Sequence, residues 1–248
     1  MAPEADEAAA RDEALAREAR RIYLRYAEEF VERFDLCPWA AKARRDGHVE
    51  VRVVTAPGPA AFEGPALAAV EAHAAASHVQ VGLIVFPRVR WPRARFVEAV
   101  ARLRERHADA HGGTPPMALA AFHPAPEPVE PAAAEEPARL VPFIRRSPDP
   151  TIQCVRLSVL EEVRRPSDRG TGFVDLSTVD LAAFLATPPK KPLHERVAAR
   201  NRDTLRELGL AEAERVLAAI EADRRRSYAA LGLSDEGEAP SSESAKRR

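Results

Sequence analysis

The sequence predicts an α/β layer structure: a small, mostly parallel sheet of three to four strands flanked by helices, with an N-terminal helix and a C-terminal helical hairpin. Three observations carry this expectation. Strand-like and helix-like segments alternate from residue 48 to residue 122. Two of the strand-like segments, Val79–Phe86 and Met117–Phe122, carry no charge, as strands covered on both faces do. The gaps between successive strands, 55 to 79 and 86 to 117, have room for helical crossovers joining parallel neighbours. A ferredoxin-like α+β sheet with antiparallel members is the alternative.

The elements follow in order. Leu15, Ala19, Ile22, Tyr26 and Phe30 recur at helical spacing between Asp12 and Phe34. That helix must end by Leu36, because Pro38 lacks an amide donor and pushes Cys37 out of the helical region. Val49, Val51 and Val53 alternate with Glu50 and Arg52, the pattern of a half-buried strand. Pro65 suits the first turn of a helix carrying Leu67, Val70 and Ala74. After the strand Val79–Phe86, Pro92 opens a helix with Phe96, Val100, Leu103 and His107 on one face, closed by Gly112 and Gly113. A third strand, Met117–Phe122, precedes a Pro/Ala/Glu-rich irregular excursion over residues 124–142. Ser147 and Pro148 then offer an N-cap and a first-turn proline for a helix bearing Ile152, Val155, Val159 and Val163. A short strand is expected at 173–176. Two long helices, 193–208 and 210–231, hinge at Gly209.

The domain is expected to span residues 12–232, with the helical hairpin at 190–232. Residues 1–11 and 233–248 are expected to lack fixed structure, since they have almost nothing to bury.

Composition narrows the functional classes. The 248 residues carry 37 basic and 38 acidic side chains, a net charge of −1, so nucleic acid is not an expected partner. The longest uncharged apolar run, Val79 to Pro87, is less than half of the roughly 20 residues a membrane helix needs. The acidic N-terminal stretch has no signal-peptide pattern, which leads to a cytoplasmic, bacterial-type protein as the expectation. Cys37 and Cys154 form neither a disulfide framework nor a metal clip. Arginine outnumbers lysine 33 to four, a bias that accompanies the abundance of alanine and proline and is no phosphate signal by itself.

Three places can carry chemistry. Open parallel sheets bind ligands beyond the carboxyl ends of their strands, and here those ends run into Arg88 and His123. His123 can act as acid or base near neutral pH; the plain alternative is a strand-end imidazole bonded to a loop carbonyl. Arg145, Arg146 and Ser147 precede the expected helix, whose free N–H groups favour an anion; an ordinary cap with solvated arginines is the alternative. Cys37 follows a helix C-terminus, so thiolate formation would need a cation or His123 nearby, and a packed thiol is the alternative. His107 and His111 stand at i, i+4 without a protease-like glutamate, and no metal or cofactor is expected. Arg224, Arg225 and Arg226 are expected to be a solvated helix face because acids are interleaved with them.

Taken together, five islands resemble a bacterial family known as domain of unknown function 1415. They are Leu36-Cys37-Pro38-Trp39-Ala40, Val85-Phe86-Pro87-Arg88, Ala121-Phe122-His123-Pro124, Arg145 through Thr151, and Ala199-Arg200-Asn201 with Thr204-Leu205-Arg206 and Leu208-Gly209. The resemblance implies no established activity. This chain departs from the family pattern at Phe86 and Gln153, where the pattern has His, at Arg145, where it has Asn, and at Leu157, where it has Glu. The stretch 166–189 resembles an insertion. If the family's chemistry uses those groups, this chain is a divergent member.

The function expected from these residues is binding of a small phosphate- or carboxylate-bearing molecule. Arg88, Arg145, Arg146 and Ser147 would hold the anion, His123 would be acid or base, and Cys37 the nucleophile if the fold joins it to His123. The alternative is a non-catalytic ligand-sensing or protein-interaction protein in which Cys37 is purely structural.

Overall fold

Four strands form one sheet: β1 (Val49–Val53), β2 (Val81–Val85), β3 (Met117–Phe122) and β4 (Thr151–Arg156), in the order β1-β2-β4-β3. The computed structural model describes residues 2–37, 40–125, 146–163 and 210–233. The alternation of strand and helix is as the sequence predicts, but the sheet is mixed. β1 pairs parallel with β2, whereas β4 runs antiparallel to β2 on one side and to β3 on the other. It follows that β1, β2 and β3 all point the same way, with their carboxyl ends at the edge where β4 begins.

β4 occupies the place where a helix starting at Ser147 is expected. Ile152, Val155 and Val159 fit helical spacing, but residues 151–155 alternate as well, and short apolar runs are ambiguous between the two periods. Tertiary context decides. Ile152 and Cys154 are fully buried against one helix layer, while Gln153 and Val155 face the other way. The Phe86 amide donates to the Pro150 carbonyl at 2.9 Å, extending the β2 ladder beyond the strand. Helix starts only after the strand, as Leu157–Val163.

Helices cover both faces. The long helix α1 (Ala2–Tyr26) continues into a π-helical turn (Ala27–Glu32). Helix begins ten residues before the expected Asp12, since an Ala/Glu-rich segment has high intrinsic propensity even without a face to bury. After the short helix α2 (Ala40–Arg45), the chain enters β1. α3 (Ala60–Glu63) and α4 (Pro65–Ala75) connect β1 to β2, and α5 (Arg93–Ala110) connects β2 to β3. α6 is Leu157–Val163 and α7 is Leu210–Ala230.

Two cores result. Leu15, Ile22 and Phe30 pack with Ile220 and Tyr228 of α7 against Val51, Leu83 and Val85. On the opposite face, Val70, Phe96 and Leu103 pack against Ile84, Ile152, Cys154 and Leu119. α1 and α7 are antiparallel neighbours, with Arg21 paired to Asp223 and Arg33 to Glu212. The first arm of the expected hairpin, the strand at 173–176, most of the excursion at 124–142 and the C-terminal tail lie outside the described residues.

Candidate functional site

The common carboxyl edge of β1, β2 and β3 gathers most of the residues singled out in the sequence, but each is tied into the scaffold. The Arg88 guanidinium sits 2.6 Å from Asp12 of α1 and donates to the Thr55 carbonyl at 3.1 Å. Thr55 Oγ1 donates to the same aspartate. His123 is buried, with its ring against Phe96 on the α5 face of the sheet. Its Nδ1 accepts from the Ala125 amide at 3.0 Å, so Nε2 carries the proton and donates to the Trp91 carbonyl at 3.0 Å. Burial, assisted by the Arg93 charge, lowers its pKa and keeps the ring neutral. Both ring nitrogens are used in holding loops.

Ser147 does not cap a helix, because none begins there. Its buried hydroxyl donates to the Asp149 carbonyl at 2.6 Å and its amide to the His123 carbonyl at 3.4 Å. With no helix N-terminus at this point, the helix-dipole basis for an anion site is removed. Arg145 lies outside the described residues.

Cys37 lies on the other face. It follows the π-helical turn and lines a cavity of about 420 Å³ between the α1 layer and the sheet. Strand alternation explains who shares this wall: Val49, Leu83, Phe122, Gln153 and Val155 point to the α1 side, whereas His123 points to α5. The structure therefore separates Cys37 from His123 by the thickness of the sheet; the imidazole that shares its cavity is His48, whose Nδ1 lies 3.0 Å from the His78 carbonyl. Gln153, where the family pattern has His, stands in the same cavity wall as Cys37. The π turn, a feature that recurs at functional sites, supplies Ala27, Val31 and Glu32 to the lining.

Tyr23 and Tyr26 close the α1 side of the cavity. Burial pushes both phenols up, and Tyr23 adds to the rise at Tyr26. Arg146 is near enough to Tyr26 for its positive charge to oppose that rise. Arg146 reaches Glu221 of α7 through one terminal nitrogen at 3.1 Å. Its Nε and the Tyr26 hydroxyl are both buried with no hydrogen-bond partner among the described residues. Leaving a buried polar atom unpaired costs about 1–3 kcal/mol, so each of these atoms carries an unmet bond. Neither Tyr23 nor Tyr26 is legible as a site residue in the sequence, since both sit at core positions of an amphipathic helix.

A second polar feature also escapes the sequence. Asp149 is buried between β4 and α7, with Arg224 Nε at 2.7 Å from one carboxylate oxygen and the Tyr228 hydroxyl donating to the other at 2.6 Å. Arg224 stacks over the Tyr228 ring, 4.6 Å from its centroid. The expected solvated arginine face is thus corrected for Arg224, whose side chain is 7% exposed. No helix among the described residues is long and apolar enough to cross a membrane.

No curated protein and no solved structure matches this chain. One family model does, Protein of unknown function (DUF1415), over residues 19–168, which hold the whole sheet, the Cys37 segment and the last turns of α1. With more than half of its length matched, the chain belongs to this family.

Proposed function

We propose that this protein binds a small ligand with an apolar body and one anionic end in the cavity between α1 and the sheet. The carboxylate or phosphate end meets the Tyr26 hydroxyl and the Arg146 guanidinium, and the body lies along Leu83, Val155 and the Cys37 thiol. The observation that carries this reading is the buried Tyr26 hydroxyl in the wall of a mostly apolar cavity, without a partner among the described residues and within electrostatic reach of the Arg146 cation. Bonds to a charged group are worth about 1.5–3 kcal/mol each, so the pair can supply both affinity and orientation. His123 is on the opposite face with both nitrogens engaged, so it gives Cys37 no base. Arg88 and Ser147 serve the scaffold. Binding, with the thiol as a contact, is the activity this arrangement supports.

1-Anilinonaphthalene-8-sulfonate, an aromatic body with one sulfonate, is a suitable probe. Its fluorescence titration should give a saturable site that Tyr26→Phe and Arg146→Met each weaken about tenfold, the equivalent of about 1.4 kcal/mol. In a Cys154→Ala background the bound probe should slow alkylation of Cys37. Tyr26→Phe should leave thermal stability unchanged or raised, because it removes a buried hydroxyl that has nothing to bond. Equal probe affinity in all three proteins, or a lowered melting temperature for Tyr26→Phe, would refute the assignment.

A further inference from the structure

On the α4–α5 face, away from the cavity, three ligand-type side chains converge. His107 and His111 lie four residues apart at the end of α5, and Glu71 reaches them from α4. Glu71 places one oxygen 2.7 Å from His107 Nδ1 and the other 2.8 Å from His111 Nε2. The imidazole rings meet edge-on with centroids 4.8 Å apart. One atom from each residue falls within 4.8 Å of the others.

We propose that Glu71, His107 and His111 form a binding site for a divalent ion of the zinc class, clamping α4 to α5. Four features carry this assignment. Two imidazole nitrogens and a carboxylate are the donor set of open three-ligand zinc sites, which keep water in the fourth position. Tetrahedral ligands at 2.0–2.2 Å stand about 3.3–3.6 Å apart, so the 2.7 and 2.8 Å contacts open by about half an ångström while the widest separation, up to 4.8 Å, closes by somewhat more than one. One carboxylate faces two imidazoles, and a single divalent ion can engage all three, whereas two imidazolium protons would leave a net positive charge. The site also lies at the carboxyl end of α5, where the helix dipole favours a cation. His107 is fully buried and holds its ring in place, while Glu71 and His111 are about one-third exposed and leave a way in.

The sequence shows only the His107/His111 spacing. Glu71 stands 36 residues before His107, and packing of α4 on α5 brings it in.

The test uses the full chain stripped of metal with a chelator and titrated calorimetrically with Zn2+, with Mg2+ as a hard-cation control. One equivalent of Zn2+ should bind and raise the melting temperature, and Mg2+ should not. Removal of even an outer partner of a metal ligand weakens affinity roughly 10–100-fold, so His111→Ala and Glu71→Gln should each lose at least that much. Both positions are partly exposed, and melting curves of the metal-free variants establish that they fold. Cys37→Ser should bind as the wild type does. Absence of saturation at millimolar Zn2+, or affinity unchanged in both variants, overturns the site.

Discussion

His73 and Gly82 show how closely single residues are fitted. The His73 ring is fully buried on α4, with Nδ1 3.5 Å from a Glu50 oxygen, and burial lowers its pKa so that the ring stays neutral. It lies flat on the β2 backbone at Gly82, where a Cβ would stand 2.4 Å from the ring carbon Cδ2. Glycine is required here by close approach. Gly82→Ala should destabilise the protein by about 1–3 kcal/mol, as overpacking does. The penalty should shrink in a His73→Ala background, a coupling that urea melts of the four proteins of a double-mutant cycle measure. At this scale the sequence is partly legible. His123, Arg88 and Ser147 are marked by their positions at strand ends, but residue type does not reveal that hydrogen bonds to Trp91, Thr55 and Asp149 already engage them. Cys37 is marked too, and the structure gives it tyrosines, Gln153 and His48 as fellow lining residues of one cavity, with His123 on the far face. The tyrosines were hidden by their helical spacing, which reads as core.

Pairing of α1 with α7 rests on apolar packing sealed by charge. Asp223 receives Arg21 at 2.9 Å and Arg25 at 2.8 Å, and Arg21 also reaches Ser227. The Arg21 hydrogen bond, with help from Arg25, lowers the Asp223 carboxyl from 3.8 to about 2. A carboxyl depressed in the folded state adds stability above its unfolded pKa and loses it as pH falls through the folded value. The contribution should therefore be complete above pH ~4 and vanish toward pH 2. Asp223→Asn should flatten the acid limb of stability in that window and cost about 1 kcal/mol at neutral pH, the scale of an exposed network, as chemical denaturation across pH would show. Among the elements, those bounded by proline or glycine are the legible ones, such as α4 after Gly64-Pro65 and α5 after Pro92. β4 is the exception. Its six residues satisfy either period, and only insertion between β2 and β3 selects the strand.

At the scale of the whole molecule, Asp149 joins the sheet edge to α7, a helix that lies beyond the residues the family model matches. Asp149→Ala would leave Arg224 buried without its carboxylate and should cost about 3–5 kcal/mol, while Tyr228→Phe should cost about 1 kcal/mol; equilibrium unfolding measures both. The two losses should not add, because both groups share one carboxylate. Arginine's abundance also finds a use at this scale. Arg20, Arg104, Arg106 and Arg156 each donate to backbone carbonyls of a different element, and Arg156 alone reaches those of His73, Ala74, Ala76 and Val79 at the end of α4. A planar guanidinium fork suits such multiple donation better than an ammonium. The family, the α/β class and the strands β2 and β3 were determined by the sequence alone, although β3 lies at the sheet edge and is only half-buried, because apolar runs, turn residues and short motifs are local properties of the chain. The antiparallel β4, the sheet that separates Cys37 from His123, the Tyr26 hydroxyl and Arg146 Nε without partners among the described residues, and the meeting of Glu71 with two histidines were decided only by the tertiary structure. Each depends on contacts between residues far apart in sequence, and on which face of a strand or helix the packing turns inward.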